Sequence, residues 1–503
     1  MLRRRFRLRA EPVASCTRRY VDSFDGLLYA ADTVCYQEVV RNKAQLRWEH
    51  LTDGTLKHSL DAPEIPRFAT DIPPGTFRDA LASVLELRAL LPFVEVRCRQ
   101  RAFRLLNADE KTTARLLIED NVKAVHPVSG TEVTLPATLS LVSVKGYAKI
   151  SKGLRQSLRD APGVTALHTP AFHDLVQAIG HAPGVDAARI KLALTPEMRA
   201  DDAVKQVLRA LLRVMEVNEP GLRADLDSEF LHDFRVSVRR TRSVMTQLKS
   251  IFPPAKLAHF RTEFKWLGGV TGPTRDLDVY LIRFDDYQAW LPASVQEDLI
   301  PLRDFLFIHQ QQEHARLVQA LDSPRYLSLM HDWKAFLNAH EPDPASPADA
   351  ARPIVKVVSK RIRRVYRQVL KEGNAILTDP QTPAEALHRL RITCKKLRYL
   401  LELFRSLYPP QVIKQVILAL KQLQNNLGDF QDFEVQQDKL QEFALQMMEE
   451  GNASAETLLA MGRLEAHLAM LQHKARAAFA ERFTRFAAPK NQQRFQRIFH
   501  PSA

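Results

Sequence analysis

The chain has 503 residues, of which 45% are hydrophobic and 26% charged, and its formal net charge is +14. The composition predicts a soluble protein of two or three domains, and the cationic excess favours polyanionic partners such as nucleic acid, anionic membrane or polyphosphate. No apolar run approaches the roughly 20 residues of a membrane span, the basic N-terminus lacks the apolar region of a secretory signal, and the four cysteines show no C-x-x-C spacing. We therefore expect a cytoplasmic protein with reduced thiols and no membrane association.

The first domain, residues 1–150, is predicted to be β-rich. Short alternating or β-branched runs are separated by turn signals such as Asp53-Gly54, which is typical of an antiparallel sheet or barrel. One helix is expected over about 76–91. In the first strand, Arg3, Arg5, Arg7 and Arg9 share one face because side chains alternate along a strand.

The remainder is predicted to be helical. Residues 151–195 contain several proline-glycine breaks and indicate a linker with short helices. Two helical units are expected at about 196–340 and 353–486, with a proline-rich connection at 340–353 and a loosely held tail at 487–503. Within the first unit, Ser228 is a candidate N-cap for a helix reaching Phe252. The predicted fold class is therefore α+β, multidomain.

One sequence segment occurs twice. Residues 231–242, LHDFRVSVRRTR, match residues 387–398, LHRLRITCKKLR, at a constant offset of 156, and the match continues without a gap to Asp278 and Glu434. Such a long gapless match indicates two copies of one helical unit.

Each copy places its cations in one stripe beside an apolar face. At about 100° per residue, the stripe residues of each helix fall within roughly 80° of one another. The first stripe contains His232, Arg235, Arg239 and Arg242, and the second contains His388, Arg391, Lys395 and Arg398. The far flanks carry Arg240 and Lys396, and further candidate binding cations are Lys249, Lys265, Arg405 and Lys421. Since neither stripe contains an acid, anion binding is favoured over a merely solvated face.

These repeated motifs, together with the segments LGGVTGPTRDLDVY and LQNNLGDFQDFEVQ, resemble the CHAD family, the conserved histidine α-helical domain. The resemblance covers roughly residues 195–486. It implies two pseudo-symmetric four-helix units that bind inorganic polyphosphate through basic surface residues, and association with polyphosphate granules. The histidines could contact phosphate or have a structural role.

The N-terminal domain resembles the CYTH family, the triphosphate tunnel fold, through RRYVDSFDGLLY, LRWEHL and VKGYAK. Enzymes of that family bind metal through alternating glutamates on the first strand, where this chain has arginines. Because Mg²⁺ is usually held by one or two carboxylates, we predict a tunnel without catalytic activity, metal or cofactor. The candidate anion site there comprises Arg3, Arg5, Arg7, Arg9, Arg47, Lys57, Arg97, Arg99 and Arg101.

Two alternatives to polyphosphate binding remain. Nucleic acid could use the same cations, but single-strand binders add exposed aromatic residues for stacking, and neither stripe has one. A metal-dependent triphosphatase of the CYTH type is the enzymatic alternative. The acids that follow the motif helices could ligate a metal, although orienting the nearby cations is the preferred role: Asp276, Asp278, Asp432 and Glu434.

Overall fold

The computed structural model describes residues 7–126, 130–166, 171–185, 187, 190, 192–339, 347–379 and 381–499. The chain divides into two compact units, residues 1–187 and 188–503. The first contains an antiparallel sheet and the second is helical, which confirms the predicted α+β multidomain class. No helix within the described ranges combines the length and the apolar character needed to cross a membrane.

The first unit is organised around one nine-stranded antiparallel sheet. The hydrogen-bonded order is β5-β4-β3-β2-β6-β7-β8, with β1 also paired to β6 and β9 to β7. Among the described strands no pairing joins the two ends, so the sheet is compatible with a tunnel-like shape but its ladder does not close into a barrel. The strands are β1 (Arg7–Ala10), β2 (Ala14–Asp22), β3 (Thr33–Val40), β4 (Lys43–His50), β5 (Leu56–Asp61), β6 (Leu91–Leu106), β7 (Thr112–Val125), β8 (Glu132–Leu135) and β9 (Thr138–Ser143).

Four helices accompany the sheet: α1 (Leu27–Ala30), α2 (Thr76–Leu85), α3 (Ala148–Arg159) and α4 (Ala171–Ile179). Helix α2 ends six residues before the expected limit, and β6 begins at Leu91. Leu81 of α2 packs in one core with Trp48, whereas Phe172 of α4 packs in another with Tyr36. Because α3 and α4 bury apolar side chains against the sheet, most of the predicted linker 151–195 belongs to the first unit.

The second unit contains twelve helices within its described ranges. These are α5 (Ala200–Arg223), α6 (Ser228–Gln247), α7 (Pro254–Val270), α8 (Gly272–Ile282), α9 (Phe284–Ala289), α10 (Ile300–Asp322), α11 (Pro324–Asn338), α12 (Ile354–Thr378), α13 (Ala384–Leu403), α14 (Pro410–Glu449), α15 (Ala455–Phe486) and α16 (Pro489–Phe499).

The helix bounds reproduce the internal repeat. Helices α6 and α13 both have 20 residues, and they begin 156 positions apart. Helices α7 and α8 together correspond to the first part of α14, which is continuous. The first copy breaks at Thr271, next to Gly272 and Pro273, because proline lacks the N–H needed for an unbroken helix. The second copy has Asp429 in place of this proline.

The two copies share one hydrophobic core. Leu277 and Phe284 of the first copy pack in the same cluster as Leu440 and Leu464 of the second. The hydroxyl of Tyr280 donates to the backbone oxygen of Gln436 at 2.8 Å, and these two positions are equivalent in the repeat. The repeats therefore meet through corresponding segments.

The C-terminal segment differs from the expected loose tail. Residues 489–499 form α16, which packs against α12 and α14. Phe495 stacks on Tyr366 with ring centroids 3.7 Å apart, and Phe499 lies edge-on to Tyr408. The two phenylalanines are buried, and this burial holds the segment against the bundle.

Candidate anion-binding site

Helix α6 presents the first cationic stripe. Phe234, Val238 and Met245 are buried, so the helix is fixed through its apolar face and the cations lie on the adjoining face. The N-cap is Asp227, whose Oδ1 accepts from the backbone N–H groups of Glu229 and Phe230. The predicted cap at Ser228 is thus one residue too late, and the helix ends at Gln247 rather than at Phe252.

The first stripe is held against the break between α7 and α8. Arg235 donates from Nη1 to Thr271 Oγ1 at 3.1 Å and to the Gly268 carbonyl at 3.5 Å. A Cβ atom at Gly268 would lie 2.9 Å from Arg242 Nη1, so a glycine lets Arg242 approach the backbone. Burial, reinforced by the nearby cations Arg239 and Arg275, lowers the pKa of Arg235 to about 10.

The second stripe lies on α13 and has more acidic surroundings. Arg391 forms a 2.7 Å ion pair with Asp432 of α14. The ring of His388 hydrogen-bonds to Gln431, and Gln431 Nε2 donates to Glu434 at 2.9 Å. The acids Asp432 and Glu434 therefore orient motif residues directly or through one side chain.

The two stripes adjoin. Helix α6 packs on α13, and burial together with the surrounding cations lowers the pKa of Lys395 to about 8. Those cations are Arg391 and Arg398 on its own helix and Arg239 on the other helix. A cation on α6 can lower the pKa of a lysine on α13 only if the two groups lie close together. We call the residues Arg235, Arg239, Arg242, Arg391, Lys395 and Arg398 the paired cationic cluster.

One carboxylate lies at the edge of this cluster. Arg240 Nη2 donates to Glu402 Oε2 at 2.8 Å, and Arg398 Nε lies 3.5 Å from Glu402 Oε1. Both guanidinium groups are also within 6 Å of the Tyr399 ring centroid, at 5.9 and 5.7 Å. Neither stripe contains an acid in sequence, but the folded surroundings supply Glu402 and Asp432.

Sequence reasoning did not select Arg275, which lies beside the first motif histidine. Arg275 donates to the Ser228 carbonyl at 3.1 Å and lies 3.6 Å from Glu229. Burial and the positive charge of Arg275 lower the pKa of His232 to about 4. The repeat contained the signal, because the position equivalent to Arg275 is Gln431, the partner of His388.

The other predicted cations are less closely placed. Lys249, Lys265, Arg405 and Lys421 are exposed, and Lys396 is half-buried. Arg405 lines a cavity of about 840 Å³ together with Arg240 and Glu402, so it lies near the edge of the paired cationic cluster. Within the described residues, no hydrogen bond or ion pair links the paired cationic cluster to Lys249, Lys265, Arg405 or Lys421.

The acids after the first motif helix have different surroundings. Asp278 accepts from Gln310 at 3.0 Å, and burial raises its pKa to about 6. Burial also raises the pKa of Asp276, and the positive charge of Arg235 offsets part of this increase. Asp276 is thus under the influence of the cations of the first stripe, whereas Asp278 is engaged by a neutral amide.

The candidate anion-site cations of the first unit lie on both faces of the sheet. Through the paired strands, Arg47 and Tyr36 lie on the same face of the sheet as Val96 and Cys98. Because side chains alternate along a strand, Arg97, Arg99 and Arg101 lie on the other face. Carboxylates engage most of these cations: Glu49 for Arg47 (2.9 Å), Glu95 for Arg97 (2.6 Å), Asp120 for Arg99 (2.6 Å) and Arg101, and Glu110 for Arg7. Lys57 lies 4.3 Å from the Trp48 ring centroid, and Arg9 is exposed. Arg3 and Arg5 lie outside the described residues.

One group in the sheet has atoms of types that bind metals. Single ligand atoms of Cys16, Cys98 and Glu119 lie within 4.8 Å of one another. Both oxygens of Glu119 already accept from Arg18, at 2.9 and 2.5 Å, and Arg18 also donates to Glu38 at 2.8 Å. This carboxylate is therefore committed to a guanidinium, which makes it a poor metal ligand.

The two basic helices carry histidines at equivalent positions of the repeat, His232 and His388. Residues 206–441 match the family model of the CHAD domain, and this part of the chain is a CHAD domain. The antiparallel sheet of the first unit is compatible with a tunnel-like domain.

Among curated proteins, the chain is similar to two uncharacterized proteins of Mycobacterium tuberculosis, one from each of two strains. Each is 27% identical over 319 residues, which is 60% of this chain and 56% of the relative. The chain thus matches little more than half the length of these relatives.

Among solved structures, the CHAD domain from the plant Ricinus communis is 26% identical with a TM-score of 0.49, covering 59% of this chain and 94% of its own. PptA from Streptomyces chartreusis is 16% identical with a TM-score of 0.44, covering 57% and 100%.

Proposed function

We propose that the CHAD domain binds inorganic polyphosphate through the paired cationic cluster. The observation that carries this proposal is the convergence of the two stripes: α6 packs on α13, and Arg240 Nη2 of α6 donates to Glu402 Oε2 of α13 at 2.8 Å. In agreement with this contact, Arg391 and Arg398 of α13 and Arg239 of α6 all lower the pKa of Lys395. Bringing like charges together is unfavourable in the free protein, and a bound polyanion relieves the repulsion. The family-model match supports the same ligand.

Polyphosphate fits the cluster better than nucleic acid. Arginine forks match phosphate oxygens in bidentate geometry, and lysine contributes a mobile charge. Tyr399, the aromatic side chain beside the cluster, is buried and already faces Arg240 and Arg398. It offers no free surface on which a base could stack.

The direct test is a titration of the protein against long polyphosphate and against duplex DNA at matched phosphate concentration and salt. We expect tighter binding to polyphosphate, with affinity that falls steeply as salt rises. Equal or tighter binding to DNA would contradict the proposal.

We propose further that the first unit does not hydrolyse phosphate chains. Glu38 and Glu119 are engaged by Arg18, and Glu49 is engaged by Arg47, which leaves these carboxylates poorly suited to a metal. Incubation with tripolyphosphate and Mg²⁺ or Mn²⁺ should release no phosphate. Metal-dependent release that is lost in Glu49→Gln or Glu119→Gln would contradict this.

Binding to a polymer that accumulates in granules predicts a location at polyphosphate granules in the cytoplasm. A fluorescent fusion should colocalise with polyphosphate stain, and the variant lacking the paired cationic cluster should be diffuse. Granule localisation that persists in this variant would show that another surface directs it.

A further inference from the structure

A second row of cations lies on α12, outside the duplicated motif. At about 100° per residue its members fall within roughly 80° of one another, and at about 1.5 Å per residue they extend over about 22 Å. All are exposed: Lys356, Lys360, Arg364, Arg367 and Lys371. We call these five residues the α12 stripe. The opposite face of the helix, including Val358, Ile362 and Val365, is buried.

The α12 stripe has little internal neutralisation. None of its five side chains forms a hydrogen bond or a close ion pair with the residues that the structure describes. The carboxylate of Asp349, whose pKa is lowered by Arg352 and more weakly by Lys360, already forms a 3.0 Å ion pair with Arg352. The stripe is therefore available to an external anion.

Helix packing does not require these cations. Helix α5 begins 154 positions before α12, and at this offset Ala203, Leu208 and Leu211 match Val357, Ile362 and Val365 as buried residues. The counterparts of the α12 stripe in α5 are Asp202, Gln206, Ala210, Arg213 and Val217. With one cation and one acid among them, α5 makes the same type of packing without a cationic face.

The α12 stripe belongs to a helix that contacts both motif helices. Arg361, three positions before Arg364, donates from Nε and Nη2 to Gln247 Oε1 of α6 at 3.1 and 2.8 Å. Helix α12 also packs along α13. A flexible polyanion held at the paired cationic cluster thus has a second cationic row on the adjoining helix.

We propose that the α12 stripe is a second contact site for polyphosphate, occupied by chains long enough to reach it from the paired cationic cluster. This inference rests on the proposed function. The second site acts by effective concentration, since a chain bound at one site is already close to the other. It therefore contributes to the binding of long chains and not to that of short ones.

The test replaces all five residues of the α12 stripe with glutamine in the full chain. A matched control removes the same charge from exposed positions on four other helices: Arg213, Arg261, Arg303, Arg463 and Lys474. Dissociation constants for long polyphosphate and for tripolyphosphate are measured at two salt concentrations. Melting curves check the fold, and the smaller pair Arg364→Gln and Arg367→Gln serves if the fivefold variant does not fold.

We expect the α12 variant to lose about tenfold or more in affinity for long chains, with a smaller salt dependence, and to bind tripolyphosphate as the wild type does. The control should stay within about twofold for both ligands, because scattered charges contribute only a general field. Equal losses in the variant and the control, or a loss confined to duplex DNA, would overturn the inference. Failure of the wild type to bind polyphosphate would instead overturn the proposed function.

Discussion

Equivalent residues of the two motif helices have different partners. Arg235 donates to the neutral hydroxyl of Thr271, whereas Arg391 is paired with the carboxylate of Asp432. The duplication thus preserved the position of the cation more closely than the charge of the group that it contacts. Local charge balance, and not the motif alone, decides how strongly each residue can bind an anion.

Lys395 should make polyphosphate binding depend on pH. Its pKa is lowered to about 8, so it is mostly charged at pH 7 and mostly neutral at pH 9. A bound polyanion favours the charged form, and affinity should therefore fall about tenfold between pH 7 and pH 9. In Lys395→Arg the charge persists throughout this range, so the decrease should disappear.

The measurement is a series of dissociation constants for long polyphosphate between pH 6.5 and 9.5. Lys421→Arg, an exposed position outside the cluster, provides the control and should keep the wild-type pH dependence. A pH dependence that is unchanged in Lys395→Arg would show that another group is responsible.

Glu402 should weaken anion binding because it competes for two cations. Its oxygens engage Arg240 at 2.8 Å and Arg398 at 3.5 Å. Glu402→Gln removes the competing charge, and we expect affinity for polyphosphate to rise about threefold or more. Glu385→Gln, an exposed residue in the first turn of the same helix, changes net charge equally and should have a smaller effect. Calorimetric titration of the two variants distinguishes these outcomes, and a loss of affinity in Glu402→Gln would be contrary to expectation.

At the scale of the elements, the sequence predicted what local spacing determines. The spacing of apolar and cationic residues in the repeated segment placed both motif helices and their cationic faces. It did not place Glu402 beside Arg240, because this contact joins residues of different helices that are far apart in the chain. In the sheet, residue alternation shows that Arg97, Arg99 and Arg101 share one face of their strand. Whether Arg47 lies on the same face of the sheet depends on the register of the intervening strands, which the sequence did not provide.

The N-cap of α6 provides a test at this scale. Asp227 accepts from two backbone N–H groups, whereas the neighbouring Ser228 makes no side-chain capping bond. Asp227→Ala should lower the free energy of unfolding by about 0.5–2 kcal/mol, and Ser228→Ala should have little effect. Urea denaturation followed by helical circular dichroism measures both, and a larger loss in Ser228→Ala would reassign the cap.

For the whole molecule, the relation between the repeats explains why the proposed site has two halves. The hydrogen bond of Tyr280 to Gln436 joins equivalent positions, and the surrounding core contains side chains from both copies. This packing accompanies the contact of α6 with α13, where Arg239 and Lys395 come close. The duplication was visible in the sequence, but the convergence of its two cationic faces depends on tertiary packing.

The most direct test is to remove each half of the paired cationic cluster separately. One variant carries Arg235→Ala, Arg239→Ala and Arg242→Ala, and the other carries Arg391→Ala, Lys395→Ala and Arg398→Ala. Long polyphosphate and tripolyphosphate are titrated against both at two salt concentrations. A shared site predicts that each variant loses about tenfold or more for long chains, with similar losses, because bridging requires both halves. Tripolyphosphate, which is too short to bridge, should be nearly indifferent to which half is removed. A loss of long-chain affinity in only one variant would contradict the shared site and assign binding to a single helix.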